Sequence, residues 1–195
     1  MAMDPELPEP TLPWWRRPPG WPLAAFTGLV AAAILHAASA PGVFILTALA
    51  LLGCVGIVAL TWMARVIMAM RHRRWDYRYL VVPAIGILTL TLVRCDVPFH
   101  VRWAHARPAL EHAAADALAG RLPPLERLRA GTFDVSPEVR GGTVRFLVWN
   151  SGGFLDIHYF VYAPDGSTPQ SHGEHPDLDS VRHIGGPWWN VIEDF

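Results

Sequence analysis

The residues of this chain best suited to chemistry are histidines and acids between positions 156 and 183. Imidazole and carboxylate groups are competent zinc ligands, and a carboxylate beside a metal-bound histidine orients its ring. The candidate ligands are Asp156, His158, His172, His175 and His183. Glycine and proline interrupt the segment around His172 and His175, so a helical ligand spacing cannot be assumed there. We therefore expect no metal site, with a metal-binding sensor or a metal-dependent enzyme as the alternative function.

Other catalytic machinery leaves no signature in the sequence. The 16 basic residues are all arginine, which excludes a Schiff-base lysine and the lysine of a phosphate-binding loop. No G-x-S-x-G, H-E-x-x-H or dinucleotide-binding pattern occurs. The formal charge of −1 gives no global field for nucleic acid. The sequence thus predicts a protein that is not an enzyme, holds no cofactor and binds no nucleic acid.

Three residues near the end of the chain are candidates for contact with a protein partner: Trp188, Trp189 and Asn190. Successive residues of a strand point to opposite faces of a sheet. One of the two tryptophans should therefore lie in the core, while the other is exposed beside Asn190. Tryptophan is enriched at the energetic centres of protein interfaces, so the exposed ring would mark a contact surface.

The distribution of apolar residues predicts that the first half of the chain is embedded in a membrane. The chain is 52% hydrophobic and 17% charged, and its mean hydropathy is +0.24. Two uncharged stretches, 21–40 and 43–64, are each long enough to cross the hydrocarbon core of a bilayer. Pro41 and Gly42 between them leave room only for a tight turn, which indicates a helical hairpin.

A third crossing is predicted over residues 79–99. Its strictly apolar part, 80–93, covers only about 21 Å at the rise of an α-helix. A full crossing requires Arg94 to extend its side chain to the surface and residues 97–99 to complete the span. Aromatic residues at both ends, among them Tyr79, Phe99 and Trp103, are typical of membrane interfaces. The alternative is a re-entrant or interfacial segment, which would leave the C-terminal domain in the cytoplasm.

The arginines predict the orientation of these spans. Arg16 and Arg17 precede the first span, a second cluster separates the second span from the third, and the 41–42 turn has none. Because cytoplasmic loops carry the excess of positive charge, we expect a multi-pass plasma-membrane protein with a cytoplasmic N-terminus and an extracytoplasmic C-terminal domain. The residues expected to anchor helix ends in anionic lipid are Arg71, Arg73, Arg74, Trp75 and Arg78.

Two further features of the spans have alternative interpretations. Residues 38–40 read Ala-Ser-Ala, as at a signal-peptide cleavage site, but the proline and the second span that follow argue against cleavage. Gly28 and Ala32 have the spacing that lets helices approach closely in lipid. We expect them to pack within the hairpin, and a homo-oligomer interface is the alternative. Cys54 and Cys95 are predicted to lie too far apart for a disulfide.

Beyond the spans, the pattern is that of a small α+β domain. A helix is predicted over 108–120, because proline stands near its start and glycine just past its end. Strands of an antiparallel meander are predicted over 131–135, 143–149, 154–162, 181–184 and 187–192. The fold class is thus an α+β membrane protein with three domains: a Pro-rich cytoplasmic segment over 1–20, a three-helix region over 21–99, and an extracytoplasmic domain over 100–195.

The hairpin between 143 and 162 has the strongest strand pattern. Val144, Phe146 and Val148 alternate with polar residues and share one face, so Arg145 is expected on the opposite, exposed face. In the second strand, the residues expected to share a face are Leu155, Ile157, Tyr159 and Val161. This pattern makes Asp156 and His158 an outward-facing pair.

Several segments together resemble a protein family. The stretch RRWDYRYL at 73–80, GGTVRFLV at 141–148, YAPDG at 162–166 and HIGGPWWNVIEDF at 183–195 are similar to small membrane proteins of actinobacteria, over roughly residues 70 to 195. The resemblance implies the same membrane topology and implies no activity. Taken together, the sequence predicts a non-enzymatic, membrane-anchored binding or accessory protein that acts on a membrane or envelope protein partner.

Overall fold

The computed structural model describes residues 21–73, 76–149, 151, 156–169 and 180–194. The helices are α1 Trp21–Ala38, α2 Ile45–Arg71, α3 Val81–Arg94 and α4 Val97–Leu118, with a 3-10 turn, Tyr77–Leu80, before α3. The strands are β1 Leu128–Ala130, β2 Phe133–Arg140, β3 Thr143–Val148, β4 Asp156–Tyr162, β5 Ser180–Gly185 and β6 Trp188–Asp194. The predicted α+β class is confirmed for the described part of the chain.

In the part of the chain that the structure describes, three helical segments are long and apolar enough to cross a membrane. They are α1 with 18 residues, α2 with 27, and the 18-residue segment formed by the 3-10 turn and α3. α1 packs against both α2 and α3, and Val30, Val58 and Val82 form the buried contact among the three. Where α3 begins, Trp62 Nε1 donates a hydrogen bond of 2.8 Å to the carbonyl oxygen of Tyr79. The predicted hairpin and third apolar segment are therefore both helical.

The glycines of α1 and α2 and Ala32 do not mediate these contacts. A side chain added at Gly28, Gly53 or Gly56 would meet nothing within 4 Å, and Ala32 is exposed. The expectation that Gly28 and Ala32 pack within the hairpin is therefore wrong for the described residues. The contact between α1 and its neighbours uses valine and isoleucine side chains instead, and the homo-oligomer alternative stays a prediction.

The joint between α3 and α4 differs from the predicted third span. α3 ends at Arg94, and Asp96 has a φ of 52°, in the left-handed region, so the chain changes direction before α4 begins. Phe99 and Trp103 belong to the core of the sheet rather than to an interfacial aromatic belt. Apolar composition suits a membrane and a protein core equally well, so the sequence pattern did not separate the two.

α4 is also longer than the predicted helix 108–120, since it begins at Val97. Pro108 lies inside it, although proline removes one backbone hydrogen bond from a helix. Both Pro108 and Ala104, whose carbonyl oxygen loses that bond, are exposed. Solvent can therefore satisfy the free carbonyl, and the proline is tolerated.

The six strands form one antiparallel sheet in the order β1-β2-β3-β4-β6-β5. β4 pairs with β6 along its whole length, and β5 lies at the edge beyond β6. The sheet therefore departs from a simple meander at its end. The sequence of β5, which includes Ser180, Arg182 and His183, suits an edge strand because charged and polar side chains discourage pairing with another chain.

α4 lies on one face of this sheet and forms the core with it. Leu110, Ala106 and Ala114 of α4 are fully buried, as are Phe146 and Trp188 of the sheet. The ring centroid of Trp103 lies 4.9 Å from that of Phe160 and 5.3 Å from that of Trp188. These separations are typical of favourable aromatic pairs, and they fix where the helix crosses the strands.

β2 continues through Pro137, where the sequence predicted that the first strand would end. The carbonyl oxygen of Pro137 accepts a hydrogen bond from Leu125 N, on the side of β2 away from β3. The nitrogen and carbonyl of one strand residue point to the same side. The side of β2 that lacks the proline N–H therefore has no β1 residue opposite it, because β1 does not extend that far. The backbone hydrogen bonds between β2 and β3 are all retained.

Substitution of Phe146 tests the register of the sheet. Phe146→Ala should lower the free energy of unfolding by about 3–5 kcal/mol, because the ring is fully buried and its removal leaves a cavity. Urea unfolding of the full-length protein in detergent micelles, followed by tryptophan fluorescence, measures the change.

The matched control is Val139→Ala, since this side chain is 46% exposed on the neighbouring strand. It should change the free energy of unfolding by no more than about 0.5 kcal/mol. Equally small effects of the two substitutions would contradict the register.

Candidate functional site

His158 is a core residue, in contrast to its predicted outward orientation. It is only 4% exposed and lies opposite Ile192 on the face of the sheet that α4 covers. Burial lowers the pKa of His158, and the nearby Asp156 partly opposes this shift. Asp156, at the end of the strand, is exposed. The two therefore do not form an outward-facing pair.

His183 lies on the other face of the sheet. Its register partner is Trp189, its ring lies 4.6 Å from that of Trp189, and its Nε2 is 2.8 Å from the carbonyl oxygen of Gly186. His158 and His183 cannot bind one metal ion, because the sheet separates them. His172 and His175 lie outside the described residues.

The described residues contain no group of three or more histidine, cysteine or acidic side chains that could hold a metal ion. The three predicted ligands that the structure describes, Asp156, His158 and His183, therefore do not form one site. The sequence grouped the candidates because they are close along the chain, whereas the pairing of β5 with β6 and of β6 with β4 places His183 and His158 on opposite faces of the sheet.

The three predicted contact residues also divide between the two faces. Trp188 is fully buried and Asn190 is 9% exposed, both on the face toward α4. Neither offers a surface to a partner, so the assignment of both as contact residues is wrong. Trp189 points to the opposite face and is half-buried. The expectation that one tryptophan enters the core and the other does not is correct, with Trp188 in the core.

The face of the sheet turned away from α4, here called the second face, has unusual chemistry. It carries Ser136, Arg145, Leu147, Tyr159, Val161, Val181, His183, Trp189, Val191 and Glu193. Arg145 is 6% exposed, which corrects its predicted exposure. Its guanidinium lies over the ring of Tyr159, 4.4 Å from the centroid, and forms an ion pair with Glu193.

This ion pair affects the neighbouring tyrosine. The pKa of Tyr159 is raised mainly by burial and then by the Glu193 carboxylate, while Arg145 opposes the shift. The tyrosine therefore remains neutral at physiological pH and presents its ring to the guanidinium. A buried pair of this kind orders the side chains in the middle of the second face.

Aromatic side chains continue the second face toward the helices. Trp149 is 43% exposed, and its Nε1 donates a hydrogen bond of 2.8 Å to Ser136 Oγ. The guanidinium of Arg127 lies 5.4 Å from the centre of the Trp149 ring. Tryptophan, tyrosine and arginine are the residues most enriched in protein-binding surfaces.

Arg102 of α4 connects the sheet to the helices. Its Nη2 and Nε donate hydrogen bonds of 2.7 and 3.3 Å to the carbonyl oxygen and the hydroxyl of Thr132. Its Nη1 donates a bond of 3.2 Å to Ser39 Oγ, in the turn between α1 and α2. The guanidinium also lies 4.3 Å from the centre of the Phe133 ring. Burial lowers the pKa of Arg102, while Asp134 opposes the shift.

Two clefts flank this arginine. One has a volume of about 250 Å³ and lies between the α1–α2 turn and the ends of β2 and β3, with Asp134 and Trp149 in its wall. The other has a volume of about 650 Å³ and lies between α1, the start of α4 and the β1–β2 turn. Sequence reasoning missed Arg102, since nothing in the pattern His-Val-Arg-Trp-Ala-His distinguishes a buried arginine from a solvated one.

The predicted lipid-anchoring residues lie at the opposite end of the helices. Arg71, Arg73 and Arg78 are exposed, and the backbone of Arg78 donates a hydrogen bond of 2.9 Å to the Asp76 carboxylate. Arg74 and Trp75 lie outside the described residues. Their role at a lipid surface stays a prediction.

Comparisons with protein-family models, with curated proteins and with solved structures found no match for this chain. The resemblance to membrane proteins of actinobacteria therefore remains an expectation, and the function is inferred from the residues.

Substitution of Arg145 tests the order of the second face. Arg145→Ala should lower the free energy of unfolding by about 3–5 kcal/mol, because it removes a buried guanidinium that forms an ion pair with Glu193 and lies over the Tyr159 ring. Urea unfolding of the full-length protein in detergent micelles measures the loss.

Arg140→Ala is the matched control, since the Arg140–Glu138 pair has side chains that are 54% and 33% exposed. It should cost no more than about 1 kcal/mol. A cost for Arg145→Ala as small as that of the control would mean that the second face is solvated.

Proposed function

We propose that this chain is a non-enzymatic, membrane-anchored binding protein whose sheet domain lies outside the plasma membrane and contacts another membrane or envelope protein. The observation that carries the proposal is the exposed part of the second face, where Trp149 is 43% exposed and Val181 is 37% exposed. It lies on a sheet mounted directly on the three apolar helices of the described chain. The chemistry of this surface favours recognition, because its side chains are bound to one another and form no constellation of nucleophile, base and metal ligand among the described residues.

The mounting of the domain supports the predicted orientation. The bond from Arg102 to Ser39 holds the α1–α2 turn against the sheet, while α3 reaches the same side and continues into α4. This arrangement requires an odd number of crossings before the domain if the helices span a membrane. Together with the arginine-rich connection between α2 and α3, the positive-inside rule then favours a domain outside the cytoplasm.

Reporter fusions test this topology. Alkaline phosphatase fused after residue 120 should be active, because the enzyme folds only outside the cytoplasm, whereas a fusion after Arg74 should be inactive. The reverse pattern would contradict three crossings with a cytoplasmic N-terminus.

The two native cysteines provide an independent control in the intact chain. Cys95 is exposed at the α3–α4 joint, whereas Cys54 is half-buried inside α2. A membrane-impermeant maleimide added to intact cells should label the Cys54→Ser variant and leave the Cys95→Ser variant unlabelled. Labelling of Cys95 only after cell lysis would place the joint in the cytoplasm.

Site-specific photocrosslinking tests the second face as the binding surface. A benzophenone amino acid at Val181, a 37% exposed residue of the second face, should crosslink to a membrane or envelope protein in intact cells. Mass spectrometry of the crosslinked product identifies the partner.

Val139 is the matched position, since it is 46% exposed at the end of β2 on the face toward α4. The same probe there should yield no comparable product. Equal crosslinking at the two positions, or none at Val181, would contradict the proposal.

A further inference from the structure

The larger cleft beside Arg102 is amphipathic. Its apolar wall comes from the ends of α1 and α3 and the start of α4: Leu35, Leu92, Val97, Pro98 and Val101. Its polar lining comes from the end of α1, from α4, from β1 and from the β1–β2 turn: His36, Ser39, Arg102, Arg129 and Thr132. A lining that combines apolar side chains with two arginines matches the chemistry of a lipid, which has acyl chains and a charged headgroup.

The charged side chains that line this cleft are basic in the described part of the chain. Arg102 and Arg129 line it, and none of the described lining residues is an aspartate or a glutamate. Asp134 acts on Arg102 through its charge, but it forms its ion pair with Arg127 at 2.8 Å and lines the smaller cleft. Positive charge therefore exceeds negative charge in the lining of the larger cleft.

Arg102 retains donors for a ligand. Its three hydrogen bonds go to Thr132 and Ser39, and a guanidinium has five N–H donors, so two remain. All three existing acceptors are uncharged, and Arg102 is partly removed from water, which lowers its pKa. A bound anion would offset that desolvation and complete the hydrogen bonding. The positive end of the α4 dipole adds to the attraction, because Val97 and Pro98 are the first residues of α4.

We propose that this cleft binds the phosphate headgroup of an anionic glycerophospholipid, with the phosphate on Arg102 and Arg129 and the acyl chains along Leu35, Leu92 and Val101. This proposal rests on the membrane insertion in the proposed function, since Leu35 and Leu92 lie near the ends of candidate spans and Val97, Pro98 and Val101 follow directly in α4. A phospholipid suits the cleft better than free phosphate does, because free phosphate would leave the apolar wall exposed. The lipid would also join the sheet to the helices at the same place as Arg102 does.

The test uses the full-length protein purified in a neutral detergent, with short-chain phosphatidylglycerol as the probe. Its addition should raise the melting temperature saturably, whereas short-chain phosphatidylcholine and inorganic phosphate at the same concentrations should not. Native mass spectrometry of the same samples should show one bound phosphatidylglycerol.

Arg129→Gln is the informative variant, since Arg129 is exposed and its hydrogen bond to the Gly131 carbonyl oxygen is long, at 3.4 Å. It should weaken phosphatidylglycerol binding about five-fold, because one arginine near an anionic lipid surface contributes about 1 kcal/mol. Arg140→Gln, an exposed arginine on β2, should leave the affinity unchanged. Arg102→Lys, which retains the charge but lacks the forked donors, should also weaken binding.

Three results would overturn the proposal. An equal response to phosphatidylcholine would indicate a general detergent effect, and a shift with inorganic phosphate alone would indicate a free-anion site. Equal losses of affinity in Arg129→Gln and Arg140→Gln would indicate diffuse electrostatic attraction. The measurement is made in detergent and needs no protein partner. If phosphatidylglycerol does not bind, the crosslinking and topology results still stand. If the crosslinking or topology experiments fail, the lipid binding measured in detergent is unchanged.

Discussion

The packing of α4 on the sheet is the interaction on which the rest of this structure depends. Phe99 and Trp103 from the helix and Phe160 and Trp188 from the sheet form one aromatic cluster, with Trp188 fully buried. Burying an apolar side chain of this size contributes roughly 1.5–3 kcal/mol, so the cluster is a major part of the domain's stability. Because α4 follows α3 after two residues, the same contact that stabilises the domain also fixes it relative to the apolar helices.

Polar contacts at the junction fix the orientation of the sheet relative to the apolar helices but contribute little to stability. The Arg182–Asp96 pair, at 2.8 Å, joins the sheet edge to the α3–α4 joint, but its side chains are 59% and 44% exposed, and such pairs contribute little. Arg102 is different because this α4 residue contacts two other elements at once, the β1–β2 turn and the α1–α2 turn. A domain held in this way presents its second face in one direction. Fixed presentation suits a binding role, since less conformational freedom is lost when a partner associates.

The two faces of the sheet are buried by different means. The face under α4 is covered by a helix rich in alanine, which lets the backbone approach the sheet closely: a side chain at Gly131 would lie 2.8 Å from the Ala106 Cα atom. On the second face, long side chains lie across the strands, as Arg145 does over Tyr159. Removing one partner of such a buried pair lowers the free energy of unfolding strongly, whereas the intact pair adds only modest net stability. The arrangement orders the buried centre of the second face, while Trp149 and Val181 stay exposed on the same face.

The sequence by itself determined the local features: the apolar helices, the turn at Pro41 and Gly42, the strands of the hairpin, and which residues of each strand share a face. These depend on neighbours within a few residues, through the periodicity of side chains along helices and strands. It did not determine that Phe99 and Trp103 leave the span for the core, since both environments are apolar. The alternation of side chains also does not show which elements cover each face of the sheet. It therefore could not predict the burial of Arg145 and His158, or the separation of His158 from His183. Only the tertiary structure decided these points, because burial depends on elements that are distant in sequence: α4 over one face, and Glu193 beside Arg145 on the other.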